Sequence, residues 1–93
     1  MKHVILVKFV AGTDVSALIA PITEIFEQCL TLPGIHGLTV RRSNSNRPNR
    51  YDLMIELDMD KAALPIYDAS APHLRWKTEY GSFVEKKAIF DYD

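Results

Sequence analysis

Ninety-three residues leave room for one domain, expected to span 1–93, and a chain 47% apolar and 25% charged is composed like a folded protein, not a disordered or membrane-embedded one. A formal net charge of −1 gives no bulk attraction to nucleic acid or acidic lipid, so neither is expected as a partner. The lone cysteine, Cys29, excludes an internal disulfide and a multi-cysteine metal site; with no leader-like segment at Met1, a cytoplasmic protein is the default expectation.

Lys2 to Val10 alternates as a strand, with His3, Ile5, Val7 and Phe9 on one face and Val4, Leu6 and Val10 on the other. Both faces are apolar, which suits a strand inside a sheet covered on both sides, while the chain has helix for only one cover. After Gly12-Thr13-Asp14, apolar residues from Val15 to Leu30 recur at the three-and-four spacing of one helical face, with Phe26 and a buried, inert Cys29 on it. Pro21 belongs in the first turns of that helix or kinks it, and Pro33-Gly34 ends it. Gly37 to Arg42 and Tyr51 to Asp58 read as strands joined by a polar loop over Ser43 to Arg50.

Asp60 is placed to cap a short helical segment running to Tyr67 and limited by Pro65. Ser70 is placed to cap another, opened by Pro72, with His73, Trp76, Tyr80 and Phe83 along one face. Lys86 to Tyr92 reads as the last strand. This element order predicts an α+β, ferredoxin-like, four-stranded antiparallel sheet with helices on one face. Val4, Leu6 and Val10 then form part of an apolar patch on the opposite face, and a second copy packed sheet to sheet would cover it, so a homodimer is expected.

Tyr67 and His73 lie six residues apart, and His3 opens the first strand. Imidazole and phenol are the side chains that pass protons near neutral pH without a metal or cofactor, so the three together define a candidate acid-base pocket. Neutral His73 is suited to take a proton from a carbon between two carbonyls, and the Tyr67 hydroxyl to donate to the enolate oxygen. Apolar walls from Ile5, Val7, Phe26 and Trp76 would exclude water. No metal is expected, because the three histidines lack paired ligand spacing; His36 reads as an exposed loop residue. The second charged feature, Arg41, Arg42, Arg47 and Arg50, reads as a solvated hairpin, with phosphate binding as its alternative.

The run Lys2-His3-Val4-Ile5-Leu6-Val7-Lys8-Phe9, then Tyr67 and Ala71-Pro72-His73, then Phe90-Asp91-Tyr92 resembles the stress-responsive α/β-barrel (Dabb) domain family. The resemblance covers the chain and is closest, over Tyr80 to Tyr92, to a plant cyclase of that family. It implies a dimeric α+β barrel with a cofactor-free pocket between sheet and helices. It also implies catalytic roles for Tyr67 and His73 and substrate contacts from His3, Ile5, Val7 and Trp76. Leu53 and Ser70 depart from the pattern, standing where relatives carry histidines. Three function classes stay open: a cofactor-free enzyme acting on a small carbonyl-rich or aromatic molecule, a ligand-binding or stress-associated dimer without chemistry, and a phosphate binder.

Overall fold

The computed structural model describes residues 1–93. Four strands, β1 (Lys2–Phe9), β2 (Ile35–Arg42), β3 (Leu53–Met59) and β4 (Val84–Tyr92), form one sheet in the order β2-β3-β1-β4 with every neighbouring pair antiparallel. Three α-helices cover one face: α1 (Val15–Glu27), α2 (Leu64–Asp68) and α3 (Ala71–Tyr80). This is the ferredoxin-like α+β arrangement that the element order predicts.

Period-two alternation decides which side chains meet the helices. Ile5, Val7 and Phe9 of β1 and Leu53, Ile55, Leu57 and Met59 of β3 point inward and are nearly sealed from solvent. They pack against Ile22, Ile25 and Phe26 of α1, Tyr67 of α2 and Trp76 of α3 in one core. Phe26 and Trp76 meet edge to face with ring centroids 5.5 Å apart, a contact that contributes roughly 1 kcal/mol beyond the buried area.

Several boundaries differ from the sequence expectation. The first helix leaves α geometry at Glu27 and continues as a 3-10 turn over Gln28–Thr31, so Cys29 is buried by a tighter turn than predicted. Pro21 lies well inside α1 rather than in its first turns. Asp14 caps α1 by accepting from the Ala17 amide at 3.3 Å. Asp60 makes no side-chain cap; its carboxylate accepts from His36 Nε2 at 3.0 Å instead, and its own amide donates to the Gly34 carbonyl at 2.8 Å. β2 begins at Ile35, which puts the exposed His36 on a strand rather than in a turn, and β4 begins at Val84, two residues earlier than expected.

The register sets the sheet's uncovered face. Val4 stands opposite Phe90 and Glu56, Leu6 opposite Ala88 and Met54, and Lys2 opposite Tyr92 and Asp58. Phe90 is 64% exposed there and Tyr92 44%, their rings 6.2 Å apart. Polar bonds frame the same face: Lys2 pairs with Asp58 at 3.2 Å, and the Tyr92 hydroxyl donates to Glu56 at 3.0 Å. At the other end, Asp52 holds β1 to the hairpin loop. Its carboxylate accepts from the Phe9 amide at 2.8 Å, and its amide donates to the Val7 carbonyl at 2.8 Å.

Candidate functional site

The layer of helices leaves part of β4 uncovered, and a cleft of about 280 Å³ opens between β1, β4, α2 and α3. His3, Ile5, Tyr67, His73 and Trp76 line it together, joined by Leu64, Asp68, Lys87, Ile89 and Asp91. Val7 and Phe26 do not reach it: both are sealed in the core, where Phe26 backs Trp76. Two strands and two helices thus bring together five of the seven residues singled out in the sequence.

Local structure explains how Tyr67 and His73 meet. The Ser70 hydroxyl accepts from the His73 amide at 3.3 Å, capping α3, and donates to the Tyr67 carbonyl at 2.7 Å. Pro72 in the first turn of α3 has no amide to satisfy. Only Ala69 and Ser70 separate α2 from α3, and the rings of Tyr67 and His73 lie 4.7 Å apart, with His3 5.5 Å from Tyr67 on the strand beneath.

Hydrogen-bond accounting fixes what each polar atom offers. Tyr67 is 1% exposed and its hydroxyl has no partner in the protein, yet no buried side-chain polar atom is both sealed and unpaired. The phenol oxygen therefore keeps a trace of accessible surface, and the space that Tyr67 lines is the cleft. Burial above all, with negative charge at Cys29 and Asp68 adding to it, pushes the Tyr67 phenol well above the usual tyrosine range, so it stays a donor at neutral pH.

The two histidines are oriented alike. His73 Nδ1 lies 2.9 Å from the Asp68 carbonyl, and His3 Nδ1 lies 2.5 Å from the Asp91 carboxylate. Both partners are acceptors, so each Nδ1 carries the proton, and in the neutral ring Nε2 is left with a free lone pair. His3 is 6% exposed and its Nε2 has no protein partner, so by the same accounting that nitrogen also keeps open surface, in the cleft that the ring lines. Tyr67 and the two histidines therefore line one space, with a phenol donor and an imidazole acceptor of His3 left unpaired by the protein.

Lys87 is not among the candidate residues of the sequence, and Asp91 enters there only as part of the Phe90-Asp91-Tyr92 run. Both lie on the inward phase of β4, flanking Ile89, and two charged residues on that phase are the available signal that this end of the strand is not sealed in the core. No three His, Cys, Asp or Glu side chains converge in metal-binding geometry. Arg41, opposite Met54, lies on the uncovered sheet face, while Arg42, opposite Leu53, reaches the Ser16 hydroxyl at the start of α1. Arg50 bonds the neighbouring Asn49 at 2.7 Å.

No protein-family model and no curated protein matches the chain. Among solved structures it is similar to a dimeric ferredoxin-like protein of unknown function from Thermobifida fusca, with a TM-score of 0.80 and 12% identity over 98% of this chain and 87% of that one. It is similar to the hydroxynitrile lyase of Passiflora edulis, with a TM-score of 0.75 and 14% identity over 98% and 89% of the two chains. A Dabb family protein with a ferredoxin-like fold from Mesorhizobium loti aligns with a TM-score of 0.67 and 16% identity over 99% and 93%. These likenesses establish the ferredoxin-like α+β fold. No helix is long and apolar enough to cross a membrane.

Proposed function

We propose that residues 1–93 form a single domain of the Dabb family, similar to plant olivetolic acid cyclase, that dimerises through the uncovered sheet face. On this reading the cleft performs cofactor-free proton transfer on a small carbonyl-rich or aromatic molecule in the cytoplasm. Tyr67 donates to the oxygen where charge develops and His73 takes the proton. His3, Ile5 and Trp76 hold the substrate, and Val7 and Phe26 support the wall from behind.

The observation that carries this reading is the Tyr67 hydroxyl, a donor without a protein acceptor at the tip of a side chain that is otherwise sealed. A tyrosine serving only as core filler would pair its hydroxyl or place it in open water. Here the missing acceptor is supplied by whatever enters the cleft, whose wall is apolar at Ile5 and Trp76 and polar at Asp68, Lys87 and Asp91. The dimer is supported by the exposed Phe90 and Tyr92 beside Val4 and Leu6, and by the dimeric Thermobifida protein sharing the fold.

The test is ring opening of 5-nitrobenzisoxazole, a flat aromatic probe whose deprotonation at carbon releases a coloured nitrophenolate. Turnover by the wild-type chain above the buffer rate, reduced in His73→Gln and Tyr67→Phe, supports proton transfer in the cleft. Binding of small aromatics without turnover, unchanged in His73→Gln, would instead make the protein a non-catalytic ligand-binding dimer.

A further inference from the structure

We infer that His3, held by Asp91, is a second proton acceptor of the cleft, independent of His73, and that Asp91 is its positioning residue. The inference rests on the acid-base reading of the cleft and adds to it both a residue pair and a demand on the substrate.

The pair is built into the sheet. His3 and Asp91 are register partners on β1 and β4, both on the inward face, so the ladder itself brings imidazole and carboxylate together. The carboxylate accepts the Nδ1 proton at 2.5 Å, which fixes the ring's tautomer and rotation. A histidine this buried, with Nε2 unpaired but not sealed, has one nitrogen committed to the protein and one left for a guest. A histidine serving only to fill the core would have both nitrogens paired within the protein, whereas here Nε2 is left to water or a guest.

The Tyr67 ring is a neighbour of both imidazoles, 5.5 Å from the His3 ring and 4.7 Å from that of His73. The bound molecule that satisfies all three groups presents one hydrogen-bond acceptor flanked by two proton-bearing positions. A ketone oxygen between two enolisable carbons has that pattern. His3 Nε2 takes a proton from one flanking carbon, the C–H electron pair moves into the new C=C bond, and the carbonyl oxygen becomes an enolate held by the Tyr67 hydroxyl. The imidazolium then returns the proton to a flanking carbon, restoring the ketone, or to the enolate oxygen, giving the neutral enol, with Asp91 balancing its charge meanwhile.

Two readouts test this on the full-length protein. The first is turnover of 5-nitrobenzisoxazole, in which Nε2 removes the ring C–H proton, the electron pair forms the nitrile and the N–O bond breaks to leave the phenolate. His73→Gln should keep turnover at least tenfold above buffer, and His3→Gln added to it should remove the remainder. In the His73→Gln background Asp91→Ala should cost tenfold or more, while Asp91→Asn, which retains an acceptor for Nδ1–H, should recover most of that loss. The second readout is the nitrogen NMR pattern of the neutral His3 ring, expected to show the proton on Nδ1 in the wild type and to shift toward Nε2 in Asp91→Ala. Buffer-level turnover in His73→Gln, or a wild-type His3 protonated at Nε2, would overturn the second base and leave the Tyr67–His73 reading standing. No turnover by the wild-type chain would overturn both.

Discussion

The hydroxyl of Ser70 joins the His73 amide to the Tyr67 carbonyl, so one side chain sets both the start of α3 and the spacing of the two residues across the turn. Ser70→Ala removes the cap and is expected to destabilise the fold by about 1 kcal/mol in urea unfolding. Ser70→Asp restores an acceptor for the His73 amide and should recover most of that stability. It cannot donate to the Tyr67 carbonyl, so an aromatic ligand should still bind Ser70→Asp more weakly than wild type.

Removing the Tyr67 hydroxyl separates function from folding. Because that oxygen has no protein partner, Tyr67→Phe leaves nothing orphaned and should change unfolding stability by less than about 0.5 kcal/mol. On the proposed reading the same substitution removes the donor to developing charge, and turnover of 5-nitrobenzisoxazole should fall roughly ten- to hundredfold. A stability loss comparable to that of a core truncation would mean the hydroxyl is bonded within the protein.

Alkaline pH should weaken the fold through two inward-facing acids. Burial pushes the Cys29 thiol from 9.0 up to about 11, and burial likewise raises the Tyr67 phenol above 10.0. Each group holds its proton more tightly folded than unfolded. The stability it contributes is whole below its unfolded pKa and is lost as pH rises through the folded one. For Cys29 that window runs from pH 9.0 to about 11. Each group steepens the decline by up to about 1.4 kcal/mol per pH unit. Urea unfolding at pH 7, 9, 10 and 10.5 should show the slope, and Cys29→Ala should flatten it between pH 9 and 10.5.

Gly34 and Gly81 should respond oppositely to alanine. At Gly34 the backbone has φ +81° and an added Cβ would lie 3.0 Å from Ala63 Cβ, so Gly34→Ala should cost about 1–3 kcal/mol. Gly81 has a helical φ of −56° with open space around it, so Gly81→Ala should be neutral or stabilising by about 0.5 kcal/mol. Thermal unfolding of the two variants side by side distinguishes backbone strain from general sensitivity of the loops.

Charge on the uncovered sheet face should hold the chain monomeric. Phe90 stands opposite Val4 and is 64% exposed in the single chain, so Phe90→Glu should abolish a sheet-to-sheet dimer in sedimentation experiments. The melting temperature of the variant should also lose any dependence on protein concentration. A wild-type chain that sediments as a monomer at high concentration would remove the dimer from the proposal.

What the sequence disclosed was the part that periodicity controls. Alternation in β1 and β3 and the helical stripe through Ile22, Ile25 and Phe26 lead directly to the layered fold, because burial of those faces is what the pattern encodes. Tyr67, His73 and His3 were legible as chemistry-bearing residues, and Ser70 as a cap. Register was not legible: nothing local says that Asp91 stands opposite His3, or that Asp52 turns back onto Phe9, since both depend on where strands distant in sequence come to rest. The reach of Val7 and Phe26 was misjudged for a related reason. Facing the helices is set by phase, whereas facing the cleft depends on where the helices stop short of β4.

Trp76 is the chain's single tryptophan, and it lines the site cleft and also a second cleft formed with Gly81, Val84 and Lys86. Indole emission from the unmodified protein therefore arises wholly from a wall that both spaces share. Candidate guests can be screened by native fluorescence without a label. Quenching competed by a ligand that also contacts Tyr67 would locate a guest in the site cleft, and quenching indifferent to it would locate one next door.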